Sequence, residues 1–386
     1  MTETGTFRRS LGLVELVSLG VGGTVGSGIF VVPGLAAGLS GPASLVAWII
    51  VALSASCVLL SLSYIAYRFT SSSGFYALFE SVFGNRIAVT VMMLYTISSI
   101  FGVATIAAGI GQYISFFNLS PVLLIELAFL AAFCGLNIAG IALSGTTETI
   151  LTALKIIPLI LIALLLLPFV RPENFVQSAP LTTPALLATV MIVYWPFTGF
   201  EICAIPVEET RDPSLIRRSL ILVMLIVVSL YLLLNGALIG SLGSAALAAS
   251  PAPIATASDI VLGSSGPLVA FIGIIAMLSA MNAYIIGTSR IIHGIAARFS
   301  VPVIKDLPRQ GTPAVALVVG CAASGMLLLV SNRFVALATI SVITTMIPYI
   351  FFCIAAWILI ADQKVRLIAA AGMLSTTGIL VMYFIQ

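Results

Sequence analysis

The sequence predicts an all-α protein that passes repeatedly through a membrane. Three observations predict it. Of 386 residues, 61% are hydrophobic and 8% charged, with a mean hydropathy of +1.23, whereas soluble domains carry about 25% charged residues. The apolar residues fall in runs long enough for a helix rising ~1.5 Å per residue to cross a bilayer. Lys and Arg are also distributed asymmetrically between those runs. Of the 16, only Arg171 and Arg333 fall on one side and Lys155 lies within a run. The others gather on the opposite side, which places the N-terminus in the cytoplasm.

Eleven spans follow: 11–39, 42–67, 86–116, 121–141, 146–170, 184–206, 217–241, 266–296, 312–331, 334–360 and 365–385. An odd count puts the C-terminus outside. Breaker residues separate the spans, as at Ser40-Gly41-Pro42, Ser120-Pro121 and Gly311-Thr312-Pro313. The longer connections are 68–85, 207–216, 242–265 and 297–311. No stretch is left for a long soluble domain, so residues 1–386 read as one transmembrane unit in a cell membrane. The polar start, Thr2 to Arg9, leads into a span too long and too glycine-rich for a signal peptide. Cys57, Cys134, Cys203, Cys321 and Cys353 lie in apolar runs without metal-type spacing and read as packing residues. No phosphate-binding loop or metal set is evident. The chain therefore predicts no cofactor, no nucleic-acid partner, and no enzyme, since one histidine and scattered acids supply no catalytic cluster.

Span 1 carries Gly22-Gly23-Thr24-Val25-Gly26-Ser27-Gly28-Ile29-Phe30 at its centre. Glycine costs about 1 kcal/mol relative to alanine in a helix interior, so this cluster predicts a helix opened at mid-membrane. The freed backbone groups must then face protein, water or a ligand. Amides of Gly26, Ser27 and Gly28 would start the outer half-helix and form an anion site aided by the helix dipole. Carbonyls near Gly23 and Thr24 would end the inner half and suit an ammonium. The competing reading is that the glycines allow close helix packing.

Span 5 contains Lys155, the only lysine well inside a span. Two readings stand: a buried ammonium able to release a proton during a working cycle, or a side chain snorkelling to the interface. Span 6 contains Tyr194-Trp195-Pro196-Phe197-Thr198-Gly199-Phe200-Glu201. Pro196 removes a backbone donor, and Gly199 follows it closely, so a second break is predicted. Carbonyls of Trp195 and Thr198 are candidate ammonium acceptors. Trp195 is either a gate over the site or a core aromatic. Glu201 is an intramembrane acid and functional by default; it either couples protons or bonds the opened backbone. Breaks in spans 1 and 6 are the sequence mark of an inverted repeat with a midplane binding site. Residues 11–170 and 184–360 would be its halves, with 365–385 an added helix. His293 reads as an interfacial residue near the inner end of span 8. Asp212 with Arg211, Arg217 and Arg218 reads as an inner loop holding topology charges and a local ion pair.

These residues resemble the amino acid–polyamine–organocation (APC) superfamily of transporters. Gly26-Ser27-Gly28-Ile29-Phe30 resembles its first-helix motif, and Ser73-Gly74-Phe75-Tyr76 with Phe83-Gly84 resembles the stretch after span 2. Phe197-Thr198-Gly199-Phe200-Glu201 is similar to the helix-6 break. Glu208-Glu209-Thr210-Arg211-Asp212-Pro213 and Arg290 to Pro302 match later motifs. The likeness is colinear from about Leu11 to Leu359. It implies the LeuT-type fold, a 5+5 inverted repeat with discontinuous helices 1 and 6. It also implies alternating access, a short helix over 68–83 at the inner surface, and Lys155 standing where sodium-coupled relatives hold a sodium. Substrate-binding positions carried over by resemblance are Tyr95, Ser98, Ser99, Val103, Asn282, Tyr284 and Thr339, with Tyr95, Trp195 and Tyr284 as gates and Lys155 and Glu201 as proton-coupling groups. The set is neutral apart from Glu201, so it implies a neutral, small-to-medium amino acid moved by proton symport or exchange. The alternatives are an exchanger of cationic amino acids or polyamines, and a membrane sensor that does not transport. Whether the chain pairs as a homodimer is left open.

Overall fold

The computed structural model describes residues 10–66, 74–177, 180–304 and 312–385. The described residues are helical throughout, with one isolated bridge pairing Leu11 with Thr210. The helices are α1 Leu13–Thr24, α2 Ser27–Ser40, α3 Ser44–Ile65, α4 Gly74–Phe83, α5 Asn85–Phe116, α6 Val122–Ile138, α7 Ile141–Leu166, α8 Thr183–Tyr194, α9 Ser214–Leu242, α10 Ser244–Ala249, α11 Pro253–Leu262, α12 Gly266–Arg298, α13 Ala314–Val330, α14 Phe334–Leu359 and α15 Gln363–Ile385. Eight stretches of described helix are long and apolar enough to cross a membrane. One of these, Leu13–Ile65, holds the first two expected spans, and the 17-residue α6 and α13 are shorter apolar helices.

Span 1 opens at Val25 and Gly26 only. The neighbouring glycines stay helical and serve close approach instead. A Cβ at Gly22 would collide with the Glu148 carboxylate, one at Gly23 with Ile202, and one at Gly28 with Pro196. The glycine cluster thus does both jobs that the sequence allowed. Span 6 differs more from expectation. After α8 it continues as a 3-10 turn over Trp195–Phe197, an extended Thr198, and Gly199 in the left-handed region at φ +96°. Its inner half is then a 3-10 segment, Phe200–Ala204, rather than an α-helix. The Glu201 carboxylate takes the Gly199 amide, at 3.1 Å from Oε2, and Pro206 offers no donor to extend a helix.

The expected connection over 242–265 contains two helices, α10 and α11. α10 packs beside α2, and α11 beside α12. α4 lies in the expected inner-surface stretch, whose residues 68–73 fall outside the described residues, as do Arg8, Arg9, Lys305 and Arg309. Phe75 and Phe79 of α4 pack against Phe352 of α14 with ring centroids 4.9 and 5.0 Å away. Outside the spans, Asp212 accepts from the Ser214 amide at 2.9 Å and its hydroxyl at 2.7 Å. These bonds hold the turn before α9, and the Arg218 charge also acts on Asp212. Those bonds hold its carboxyl below its ordinary pKa, first through the Ser214 hydroxyl. His293, near the C-terminal end of α12, is buried at 4% exposure.

Candidate functional site

The two breaks meet at the centre of the bundle. Gly23 O and Gly199 approach so closely that a Cβ on Gly199 would sit 2.9 Å from that carbonyl. One side chain of α9 joins both breaks: Tyr231 Oη lies 2.7 Å from Thr24 O and 3.0 Å from Pro196 O and shares its one proton between them. Opened helices leave carbonyls that lipid cannot satisfy, and this buried hydroxyl reaches one from each. The indole N–H of Trp195 donates to Ser27 Oγ at 3.3 Å, so the start of α2 is tied to the span-6 turn. The Trp195 ring lies 6.0 Å from that of Tyr284 on α12. Thr198 Oγ1 sits 3.1 Å from Tyr284 Oη and donates to Trp195 O at 2.7 Å.

Two of the expected ammonium acceptors are already engaged. Thr24 O accepts from Gly26 N and Tyr231, and Trp195 O accepts from Thr198 N and its hydroxyl. Gly23 O and the extended Thr198 remain as the carbonyls at the meeting point. Gly26, Ser27 and Gly28 are buried at the N-terminus of α2, where helix geometry leaves the first amides without intrahelical partners.

Below the meeting point runs a narrow crevice lined by Tyr95, Ser98 and Ser99 of α5, Glu201 and Ile202 of span 6, Tyr284 and Thr288 of α12, and Thr345 of α14. Its wall is rich in hydroxyls. Ser98 Oγ donates to Ser341 O at 3.0 Å and touches the Thr345 hydroxyl. Glu201 is held by three donors: Tyr95 Oη at 2.9 Å, Tyr349 Oη at 2.6 Å and the Gly199 amide. One of the three donors belongs to the opened backbone, and the carboxylate also lines the crevice.

Three carried-over positions do not join this crevice. Val103 faces α13, among Leu317, Gly320 and Cys321. Thr339 lines a separate apolar cavity with Gly34, Leu35, Met191 and Tyr383; Ser341 and Thr345 are α14 residues that bond Ser98 of α5. Asn282 turns toward α6 and α7. Each miss is a matter of helical register, since one residue rotates a side chain by about 100°.

Lys155 is fully buried and does not snorkel. Its Nζ donates to Gly22 O of α1 and to Ser279 Oγ of α12, both at 2.8 Å. Beside it lies Glu148, also fully buried, an acid that sequence reasoning missed. The signal was present: Glu148, Thr152 and Lys155 stand at i, i+4 and i+7, on one helix face. Just before α1, Leu11 N donates to Glu209 O, Arg211 N donates to Leu11 O, and Arg290 pairs with the Glu209 carboxylate at 2.7 Å. Among the described residues no His, Cys, Asp and Glu cluster could hold a metal ion.

A helical membrane protein with two facing helix breaks, a polar crevice beneath them and no metal cluster among its described residues has the build of a transporter. Similarity to known proteins agrees. Residues 11–386 match the family described as amino acid permease, and the chain belongs to that family of membrane transporters. It is 25% identical over 81% of its length to the inner membrane transport protein YbaT of Escherichia coli (strain K12), covering 75% of that protein. It is 23% identical to the branched-chain amino acid permease BcaP of Bacillus subtilis (strain 168), over 81% of this chain and 72% of the relative. It is 25% identical to the serine/threonine exchanger SteT of the same organism, over 92% and 83%. The crystal structure of MhsT in complex with L-phenylalanine superposes with a TM-score of 0.74 over 99% of both chains at 14% identity, so the fold is shared.

Proposed function

We propose that the chain carries a neutral amino acid by alternating access, gripping its backbone where the two helix breaks face each other. The observation that carries this reading is the meeting of the breaks through Tyr231, with buried amides of Gly26, Ser27 and Gly28 on one side and Gly23 O and Thr198 on the other. An α-carboxylate suits the amides at a helix N-terminus, and an α-ammonium suits the carbonyls. The substrate side chain then enters the crevice between Ser98, Ser99, Tyr284 and Thr288. Trp195 and Tyr284 close over it, and Tyr95 acts through Glu201. Lys155 stands for the missing sodium by tying α1 to α12.

Glu201 bears on substrate charge. It is the one acid among the described residues lining the crevice, and its oxygens are bonded by Tyr95, Tyr349 and the Gly199 amide. A cationic side chain would have to draw the carboxylate from those bonds, while the rest of the lining is neutral, which supports a neutral substrate over arginine or a polyamine. Orientation follows the Lys and Arg distribution, with the N-terminus inside and the C-terminus outside. The test is a thermal-stability screen of the purified chain against amino acids and polyamines. A ligand at a hundred times its Kd adds ~2.7 kcal/mol of stability. Neutral amino acids should raise the melting temperature; stabilisation by arginine or agmatine alone would favour the cationic exchanger.

A further inference from the structure

Glu148 joins Lys155 in a polar knot, and of the two the transport reading uses only the lysine. Ser279 sits between them. Its hydroxyl accepts from Lys155 Nζ at 2.8 Å and donates to Glu148 Oε1 at 2.5 Å. Asn282 donates to Glu148 Oε2 at 3.1 Å and itself accepts from Asn137 of α6 at 2.8 Å. The Thr152 hydroxyl lies 3.1 Å from Glu148 Oε1 and 3.2 Å from Ser18 O of α1. The carboxylate fills the space that any Cβ at residue 22 would need, so the same glycine whose carbonyl holds Lys155 also admits Glu148.

We propose that Glu148 is the fixed counter-charge of Lys155 and that Ser279 is the hydroxyl through which a proton passes between them. In that transfer, Lys155 gives a proton to Ser279 Oγ while Ser279 gives its own to Glu148. The ammonium becomes an amine, the carboxylate becomes a carboxylic acid, and the serine is restored. The site is neutral before and after. A lone lysine at the sodium position must gain and lose a proton to the solvent to change its charge; this pair need not. Substrate movement is therefore uncoupled from net proton movement at this site, which favours exchange over proton symport.

The charged and titratable neighbours do not interfere. On α1, Glu15 accepts from the Gly12 amide at the helix start. On α9, Tyr231 is committed to the breaks, and Arg217 and Arg218 stand exposed at the inner end. On α11, Asp259 is exposed and takes the Gly266 amide. From α6 and α12 the groups facing the pair are the neutral Asn137, Asn282 and Ser279.

The proposal rests on the assignment of Lys155 to the sodium position, but its test uses no substrate, so its failure is separable from failure of the transport reading. Melting temperatures of the purified full chain are measured from pH 5 to 9 for wild type, Glu148→Gln, Lys155→Met and the double variant. Breaking a buried pair leaves an unpaired charge, whereas replacing both partners does not. The double variant should melt above both singles. Glu148→Gln should melt lower as the pH falls, because protonation then places an unpaired ammonium in the core, and adding Lys155→Met should remove that slope. Recovery of folded double variant where Glu148→Gln alone cannot be purified supports the pair equally. A double variant that melts no higher than the weaker single, or a Glu148→Gln profile parallel to wild type, overturns the proposal. Should no Glu148 variant fold, Ser279→Ala decides: a new pH slope supports the shared hydroxyl, and an unchanged profile refutes it.

Discussion

At the scale of single residues, the site depends on side chains that satisfy an opened backbone. Tyr231 is the clearest case. Its hydroxyl serves Thr24 O and Pro196 O together, so Tyr231→Phe strips a donor from two buried carbonyls. That should cost about 1–3 kcal/mol, visible as a lower melting temperature, and transport should slow because the breaks lose their common tether. Tyr231 was not legible in the sequence: a tyrosine in an apolar span looks like any membrane aromatic until its partners are known. Gly26 to Gly28, Trp195, Thr198 and Glu201 were legible, because glycine, proline and acid are costly inside a membrane helix and so announce themselves. Val103 and Thr339 failed for the opposite reason. Nothing in their chemistry fixes which side of a helix they occupy, and a carried-over register slips by a residue or two without penalty.

At the scale of elements, the broken helices are tied at each end. At the end away from the N-terminal residues, the Ser40 hydroxyl of α2 meets Thr189 of α8 at 2.5 Å. At the opposite end, residues before α1 pair with the chain after span 6, and Arg290 of α12 grips Glu209, both nearly fully buried. Arg290→Met leaves the Glu209 carboxylate buried without its cation, and such losses run to about 3–5 kcal/mol. The variant should melt well below wild type, while Arg290→Met combined with Glu209→Leu should recover much of the loss, as a thermal melt of both would show. Span positions were readable from hydropathy, since lipid demands long apolar helices. The 3-10 course of the inner half of span 6 was not. It depends on Glu201 turning back to the Gly199 amide, a tertiary choice to which hydropathy is blind. The helices α10 and α11 were also missed, because short helices packed on a bundle carry no span-length signal.

For the whole molecule, a buried lysine bridges α1 and α12, and the proposed reading gives it the place of a sodium ion. Flux should therefore be unchanged when sodium is replaced by choline, measured in vesicles with all else equal; a sodium requirement would contradict the assignment of Lys155. The chain belongs to the amino acid permease family, and in the proposed reading the crevice chemistry selects among substrates. The most direct test of the central claim is counterflow in proteoliposomes. Vesicles loaded with an unlabelled neutral amino acid should accumulate the labelled form from outside, and the amino acid's methyl ester should fail to compete because it lacks the carboxylate that the Gly26–Gly28 amides receive. Accumulation of none of the neutral amino acids, or full competition by the ester, would contradict the account.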